Sequence, residues 1–200
     1  MYQTDYFRKV VRRMRLTGVT FEAGLIDNEI DEIENRCNFN FPPDLKHFLY
    51  TAHPLLHGDR AEFPNWRDRS VNHVTEGLAW ITEGICAHVE YERHPWWTPE
   101  WGERPKSMAD ALEIAKREVA KAPLLIPIYG HRFLTADPCI AGNPVFSIME
   151  TDIIHYGFDL AGYFHHEFGV PLPEWTAKTP RCVPFWSDFD LPCGENRTQL

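Results

Sequence analysis

Long apolar runs are missing from this 200-residue sequence. The opening MYQTDYFRKVVRRMR is followed by no apolar stretch of the kind a secretory leader carries, and nothing elsewhere approaches the ~20 residues of a membrane-spanning helix. The expectation is a cytoplasmic protein with no membrane partner. Cysteine is also badly placed for cross-linking. The five cysteines stand at 37, 86, 139, 182 and 193, an odd number, widely spaced, with no C-x-x-C pair. They predict reduced, mostly structural thiols rather than a disulfide framework.

The short motifs that build catalytic and cofactor sites are missing too. The chain has no HExxH, no H-x-H, no G-x-S-x-G, no G-x-G-x-x-G and no P-loop. No metal and no cofactor is therefore expected. His165 and His166 are adjacent, and on a helix adjacent side chains diverge by about 100°, too far to share one ion easily. Ser147 falls in a predicted strand, not at a strand-to-helix elbow, and Cys37 falls on an apolar helix face. Glu29 and Glu32 can share a helix face, but that surface is broadly acidic. One convergence leaves room for a hydrolase: His131, Asp152 and His155, if the fold brings them together.

Positive charge is the scarcest ingredient. Twenty Lys and Arg stand against 29 Asp and Glu, a formal charge of -9. Phosphate backbones reward clustered cations, so nucleic acid is not expected as a partner. A basic protein is, since complementary fields speed encounter and discourage wrong pairings. The acidity is uneven. Residues 133–177 contain Asp137, Glu150, Asp152, Asp159, Glu167 and Glu174 and no Lys or Arg. Asp137, Glu150, Asp152 and Glu167 are candidate contacts for a basic partner.

Aromatics and prolines are plentiful: thirteen Phe, seven Tyr, seven Trp and sixteen Pro. The length suits one domain with insertions and tails. A basic helix over 5–15, with Val10, Val11 and Met14 on its apolar side, docks on the body. Ile26, Ile30, Ile33 and Cys37 then recur at helical spacing, with Asp27, Glu29, Asp31, Glu32 and Glu34 filling the other face. Pro42 and Pro43 open a second helix over 44–51 that buries Leu45, Phe48 and Leu49.

Residues 53–68 read as a polar connector, 70–84 as a helix with Val74, Leu78 and Ile81 inward, and 85–91 as a strand. In HPWWTPEWGERP three Trp and three Pro crowd one short segment. Trp96, Trp97 and Trp101 either hold this loop on the core or form an aromatic recognition surface. Ser107 and Asp110 form a capping box for a helix that turns Met108, Leu112, Ala115 and Val119 inward. Residues 123–129 predict a buried strand, and their two prolines place it at an edge or a bulge. Strands at 133–134, 144–149 and 153–156 follow, with a hairpin loop at 150–152. Asp159 caps a last helix that repeats Leu160, Phe164 and Phe168. Beyond 169 the pattern fades into an irregular arm held by Trp175, Phe185 and Trp186, with a loose end. Helices around a small, mostly antiparallel or mixed sheet make the fold class α+β.

The stretch GLIDNEIDEIENRCNFNFPPDLKHFL, residues 24–49, resembles the opening of SMI1/KNR4-type domains, the SUKH superfamily, through Leu25, Ile30, Ile33, Glu34, Phe41, Pro42, Asp44, Phe48 and Leu49. PLLIPIYGHRFL (123–134) and NPVFSIMETDIIHYGFDLAGYF (143–164) resemble the central and closing elements of a bacterial branch. The resemblance implies one SMI1/KNR4-like domain over 1–170, carrying a Trp/Pro-rich insertion at 92–105, with 171–200 as an irregular arm packed on it. It implies a non-enzymatic protein-binding role, in bacteria that of an immunity protein neutralising a toxin domain, often a nuclease. A regulatory or scaffold role unrelated to toxins is the alternative, and the family brings no catalytic residues with it.

Overall fold

The structure, a computed structural model, describes residues 2–60, 62–91 and 95–190. Its first helix, α1 (Tyr2–Leu16), has a wider apolar face than the sequence suggested. Tyr6 and Phe7 join Val10, Val11 and Met14 in the core. Phe7 meets the rings of Phe48 and Phe164, 6.1 and 6.4 Å away, while the arginines stay outside.

Strand β1 (Val19–Ala23) leads to α2 (Asp27–Cys37) and α3 (Pro43–Thr51). Ile30, Ile33 and Cys37 are buried as their spacing predicts, but Ile26 is not. It precedes the helix and is 60% exposed, with its N–H donated to Glu29 Oε2 at 3.0 Å. Between the helices Asn38 takes a left-handed turn, φ 55°. Phe39 and Phe41 then close edge-on against each other, and Phe41 against Trp66, 5.1 Å away.

The polar connector is corrected by strand β2 (Ala52–His57), which pairs antiparallel with β1. Two histidines and a proline disguise it in the sequence. Pro54, which has no N–H to donate, sits where the register slips beside Phe21. The rest of the connector is also tied down. Arg67 donates to Glu29 Oε1 at 2.7 Å, to Glu22 Oε2 at 2.9 Å and to the Ala23 carbonyl at 3.1 Å.

The strand expected at 85–91 is corrected as well. Helix α4 runs unbroken from His73 to Glu90. Ile81, Ile85 and Val89 repeat every fourth residue and keep one stripe buried. Gly84, which punctuates the sequence there, permits a close approach instead: a Cβ on it would lie 3.0 Å from the Glu150 backbone. After a 3-10 turn at Pro99–Trp101 comes α5 (Met108–Lys121), capped by Ser107. Its buried positions are Ala111, Ala115 and Val119. Met108 is 39% exposed and Leu112 only half-buried, because the small residues let α5 lie close against α4.

The main sheet is an antiparallel meander in the order β3 (Leu125–Tyr129), β4 (Arg132–Thr135), β5 (Val145–Met149), β6 (Asp152–Gly157). β3 is an edge strand whose register slips between Pro127 and Tyr129, as its prolines predict. Helix α6 (Leu160–Phe168) follows, its first turn capped by Asp159 Oδ1 accepting from Gly162 at 2.7 Å. The architecture is α+β, with antiparallel sheets flanked by helices.

Alternation along the strands gives the sheet two unlike covers. Ile126, Ile128, Leu134 and Val145 face the core built with α1, α2, α3 and α6. Leu125, Phe133, Phe146, Ile148 and Ile153 face Ile81 and Ile85 of α4, Val119 of α5, and Val183 and Trp186 of the arm. Trp186 is fully buried and donates to the Pro123 carbonyl at 2.7 Å. Trp175 stays 48% exposed, edge-on to Tyr6. Cys182 is disulfide-bonded, which corrects the expectation of wholly reduced thiols, while Cys37, Cys86 and Cys139 are free. The loose end expected for the arm lies outside the described residues. Among those residues no helix is long and apolar enough to cross a membrane.

Candidate functional site

The first half of α4 and the β3–β4 turn face each other across an open groove of about 550 Å³. Two backbone features shape it. Gly77 leaves α4 without a side chain where Phe133 of β4 approaches, since a Cβ there would lie 3.0 Å from the Phe133 ring. Gly130, at φ 47°, turns the chain between β3 and β4 and donates its N–H to the Glu62 carbonyl at 2.7 Å. That bond brings the segment carrying Glu62 up to the turn. Trp80, one helical turn beyond Gly77, lies parallel over Phe133 with centroids 6.3 Å apart and remains 42% exposed.

The lining is aromatic and acidic. Trp80, Phe133 and Tyr129 supply rings, Glu62 and Glu76 supply carboxylates, and no described Lys or Arg takes part. His131 also lines it. Burial first, and the neighbouring Arg132 second, hold the His131 pKa below the ordinary imidazole value, so its ring is neutral at neutral pH. Glu62 has an ion pair with Arg60, but at 3.9 Å and with the Arg60 side chain 83% exposed it contributes little.

The residues singled out from the sequence lie elsewhere. Trp101 meets Trp96 and Trp97 edge-on, 5.0 and 5.2 Å away, and stacks on Phe185. Trp96 stacks on Phe189. All three tryptophans are half-buried, and they join α4, α5 and the arm. Glu167 is paired internally with Arg132, whose guanidinium also lies 3.9 Å from the Tyr156 ring centre. Glu150, at φ 58° in the β5–β6 hairpin, accepts from His88 of α4. Asp137 and Asp152 are exposed. The acids of 133–177 thus do not act as one free face, for Asp159 and Glu167 are committed inside the fold.

His131, Asp152 and His155 are not brought together, which corrects the convergence the hydrolase reading needs. His131 lines the groove at the β3–β4 turn, Asp152 opens the opposite edge strand in solvent, and the His155 side chain is 1% exposed beneath the arm. There the fold makes a different grouping. Ser187 Oγ lies 3.2 Å from His155 Nε2, and His155 Nδ1 lies 2.9 Å from Asp190 Oδ2. The order hydroxyl, imidazole, carboxylate is that of a nucleophilic triad. Ser187, however, is fully buried and its oxygen accepts the Val183 N–H at 2.9 Å, so no substrate carbonyl reaches it. The grouping fastens the arm to β6. Nothing in the sequence could reveal it, because Ser187 and Asp190 lie in the segment without period.

A second cavity, about 470 Å³, lies between α3 and the arm and includes Asp44 and Asp159 in its lining. Each oxygen of both carboxylates accepts a backbone N–H, from Leu45, Gly142, Gly162 and Ala177, at 2.6 to 3.0 Å. Burial pushes the Asp44 carboxyl above its ordinary pKa. These acids clamp loops rather than await a ligand. Among the described residues no group of His, Cys, Asp and Glu is arranged to hold a metal ion. No protein-family model, no curated protein and no solved structure matches this chain.

Proposed function

We propose that this chain is a non-enzymatic protein-binding domain whose docking surface is the groove between α4 and the β3–β4 turn. One observation carries the reading: Trp80, 42% exposed, stands over an open cleft whose charged lining is acidic. Partly exposed tryptophans beside a concave surface are the usual anchors of protein interfaces. The net charge of -9 supports a basic partner. The resemblance of residues 24–49 to SMI1/KNR4-type domains supports an immunity protein acting in the cytoplasm on a basic toxin domain.

The test uses the whole chain, wild type and Trp80→Ala, as bait in extracts of the native cell. The expected result is a basic protein retained by the wild type, released as salt rises, and lost with Trp80→Ala while that variant still melts cooperatively as a folded protein. A partner held equally by both baits would move the docking surface away from the groove.

A further inference from the structure

We infer that the groove selects an arginine side chain of its partner, laid flat on the Trp80 ring and paired with Glu62 and Glu76. This rests on the docking role proposed above and names the chemistry of the residue that fills it. Three features of the groove converge on a planar cation.

The first is the aromatic floor. The Trp80 and Phe133 rings lie near-parallel and offset, centroids 6.3 Å apart, and both line the cleft. Indole is the side chain that attracts a cation most strongly to its face, and a guanidinium can stack on it while its N–H groups stay in plane and free to bond.

The second is the charge of the walls. Glu62 comes from the segment before α4 and Glu76 from the helix's first turn, so carboxylates approach the cleft from separate elements. Among the described residues no cation pairs with Glu76, and the pair of Glu62 with Arg60 is long and solvated. No described Lys or Arg lines the cleft; of its two histidines, His131 is held neutral at neutral pH by burial, and His73 is engaged through Nε2 with the Asn65 carbonyl, 2.9 Å away. A cation from outside is therefore the missing complement.

The third is geometry of donors. Lysine offers a compact ammonium that loses strongly held water on docking, whereas arginine presents five donors in a plane, enough to serve both carboxylates while stacked. Arginine is favoured over lysine on that ground.

The experiment follows the Trp80 indole N–H by NMR, identified by its disappearance in Trp80→Phe. The probes are short Gly/Ser peptides carrying a central arginine, lysine, citrulline or glutamate. The arginine peptide is expected to shift the Trp80 signal and the Gly130 and His131 amides, saturably. Citrulline has the same shape without the charge, and is expected to bind at least about fivefold more weakly; lysine should lose about two- to fivefold. Glu62→Gln and Glu76→Gln should each weaken the arginine peptide about two- to fivefold and flatten its salt dependence. Equal binding of citrulline, perturbations mapping away from the groove, or no perturbation by the arginine peptide would each overturn the inference. The docking role is judged separately, by the cellular partner. If that partner survives the double variant Glu62→Gln, Glu76→Gln but is lost with Trp80→Ala, arginine selection fails and docking stands. If it survives Trp80→Ala as well, docking itself fails.

Discussion

Asp190 grips His155 twice through one oxygen: Oδ2 accepts the His155 backbone N–H at 2.8 Å and lies 2.9 Å from the ring Nδ1. β6 is an edge strand, so this contact satisfies an outward N–H that no further strand pairs with. The arm thereby finishes the sheet.

Asp190→Ala should therefore cost about 0.5–1.5 kcal/mol, the usual net contribution of an intramolecular hydrogen bond. Urea denaturation measures the cost, and amide exchange locates it. Faster exchange at His155 is expected, and unchanged protection there would show that the arm does not bear on the strand.

Trp101 and Trp80 should separate packing from recognition. Trp101 is edge-on to two indoles and stacked on Phe185, so Trp101→Ala should lower stability by about 2–4 kcal/mol, somewhat less than a fully buried aromatic would. Trp80→Ala removes a ring already 42% exposed and should cost less than Trp101→Ala, about 1–2 kcal/mol, while abolishing partner capture. The reverse pattern would return recognition to the Trp/Pro segment.

Two glycines predict very different penalties. A Cβ on Gly24 would lie 1.9 Å from the Tyr50 carbonyl oxygen, which is backbone and cannot rotate away. Gly24→Ala should cost about 3 kcal/mol or more. Gly58, at φ 60°, has nothing within 4 Å of an added Cβ, so Gly58→Ala should cost only the left-handed penalty of about 1–2 kcal/mol. Thermal melts of both variants test the ranking.

His53 should make the protein softer in mild acid. It is fully buried, and burial first, then Arg67, hold its pKa below the ordinary 6.5. The unfolded chain accordingly takes up the proton first as pH falls. The contribution of neutral His53 is complete above 6.5 and is lost progressively as pH drops from there towards the folded-state pKa. His131 is shifted the same way, also by burial first, and adds a slope of the same sign. Stability measured from about pH 8 to about pH 5 should decline, less steeply in His53→Gln. An identical slope in that variant would remove His53 as a cause.

How much of this was legible depends on how far apart the cooperating residues lie. Ile30, Ile33 and Cys37, or Asp159 with Leu160 and Phe164, announce themselves because their partners fall within a turn or two of one helix. β1 and β2 do not, since Thr20 finds Leu56 only after two helices have intervened. The end of α4 is ambiguous in sequence because a glycine such as Gly84 admits both a chain break and a close approach, and only the packed hairpin around Glu150 decides between them. The Trp/Pro segment was legible as dense but not as directed, for composition carries no sense of inside. The groove was least visible of all. Glu62, Trp80 and His131 belong to three separate segments, joined by contacts such as the bond from Gly130 to the Glu62 carbonyl and the Phe63–Tyr129 ring pair, which no local pattern announces.

The two covers of the sheet have a consequence for how such a chain can change over generations. The groove is cut from α4 and the β3–β4 turn where the two covers meet, lined by Phe133 of one and by Phe63 and Tyr129 of the other, with no lining residue from α1, α2, α3 or α6. Glu62, Glu76 and Trp80 belong to neither buried cluster, so substitutions there leave the packing of those four helices in place. A lineage can trade one partner for another by relettering these positions, and its descendants still inherit a chain that folds.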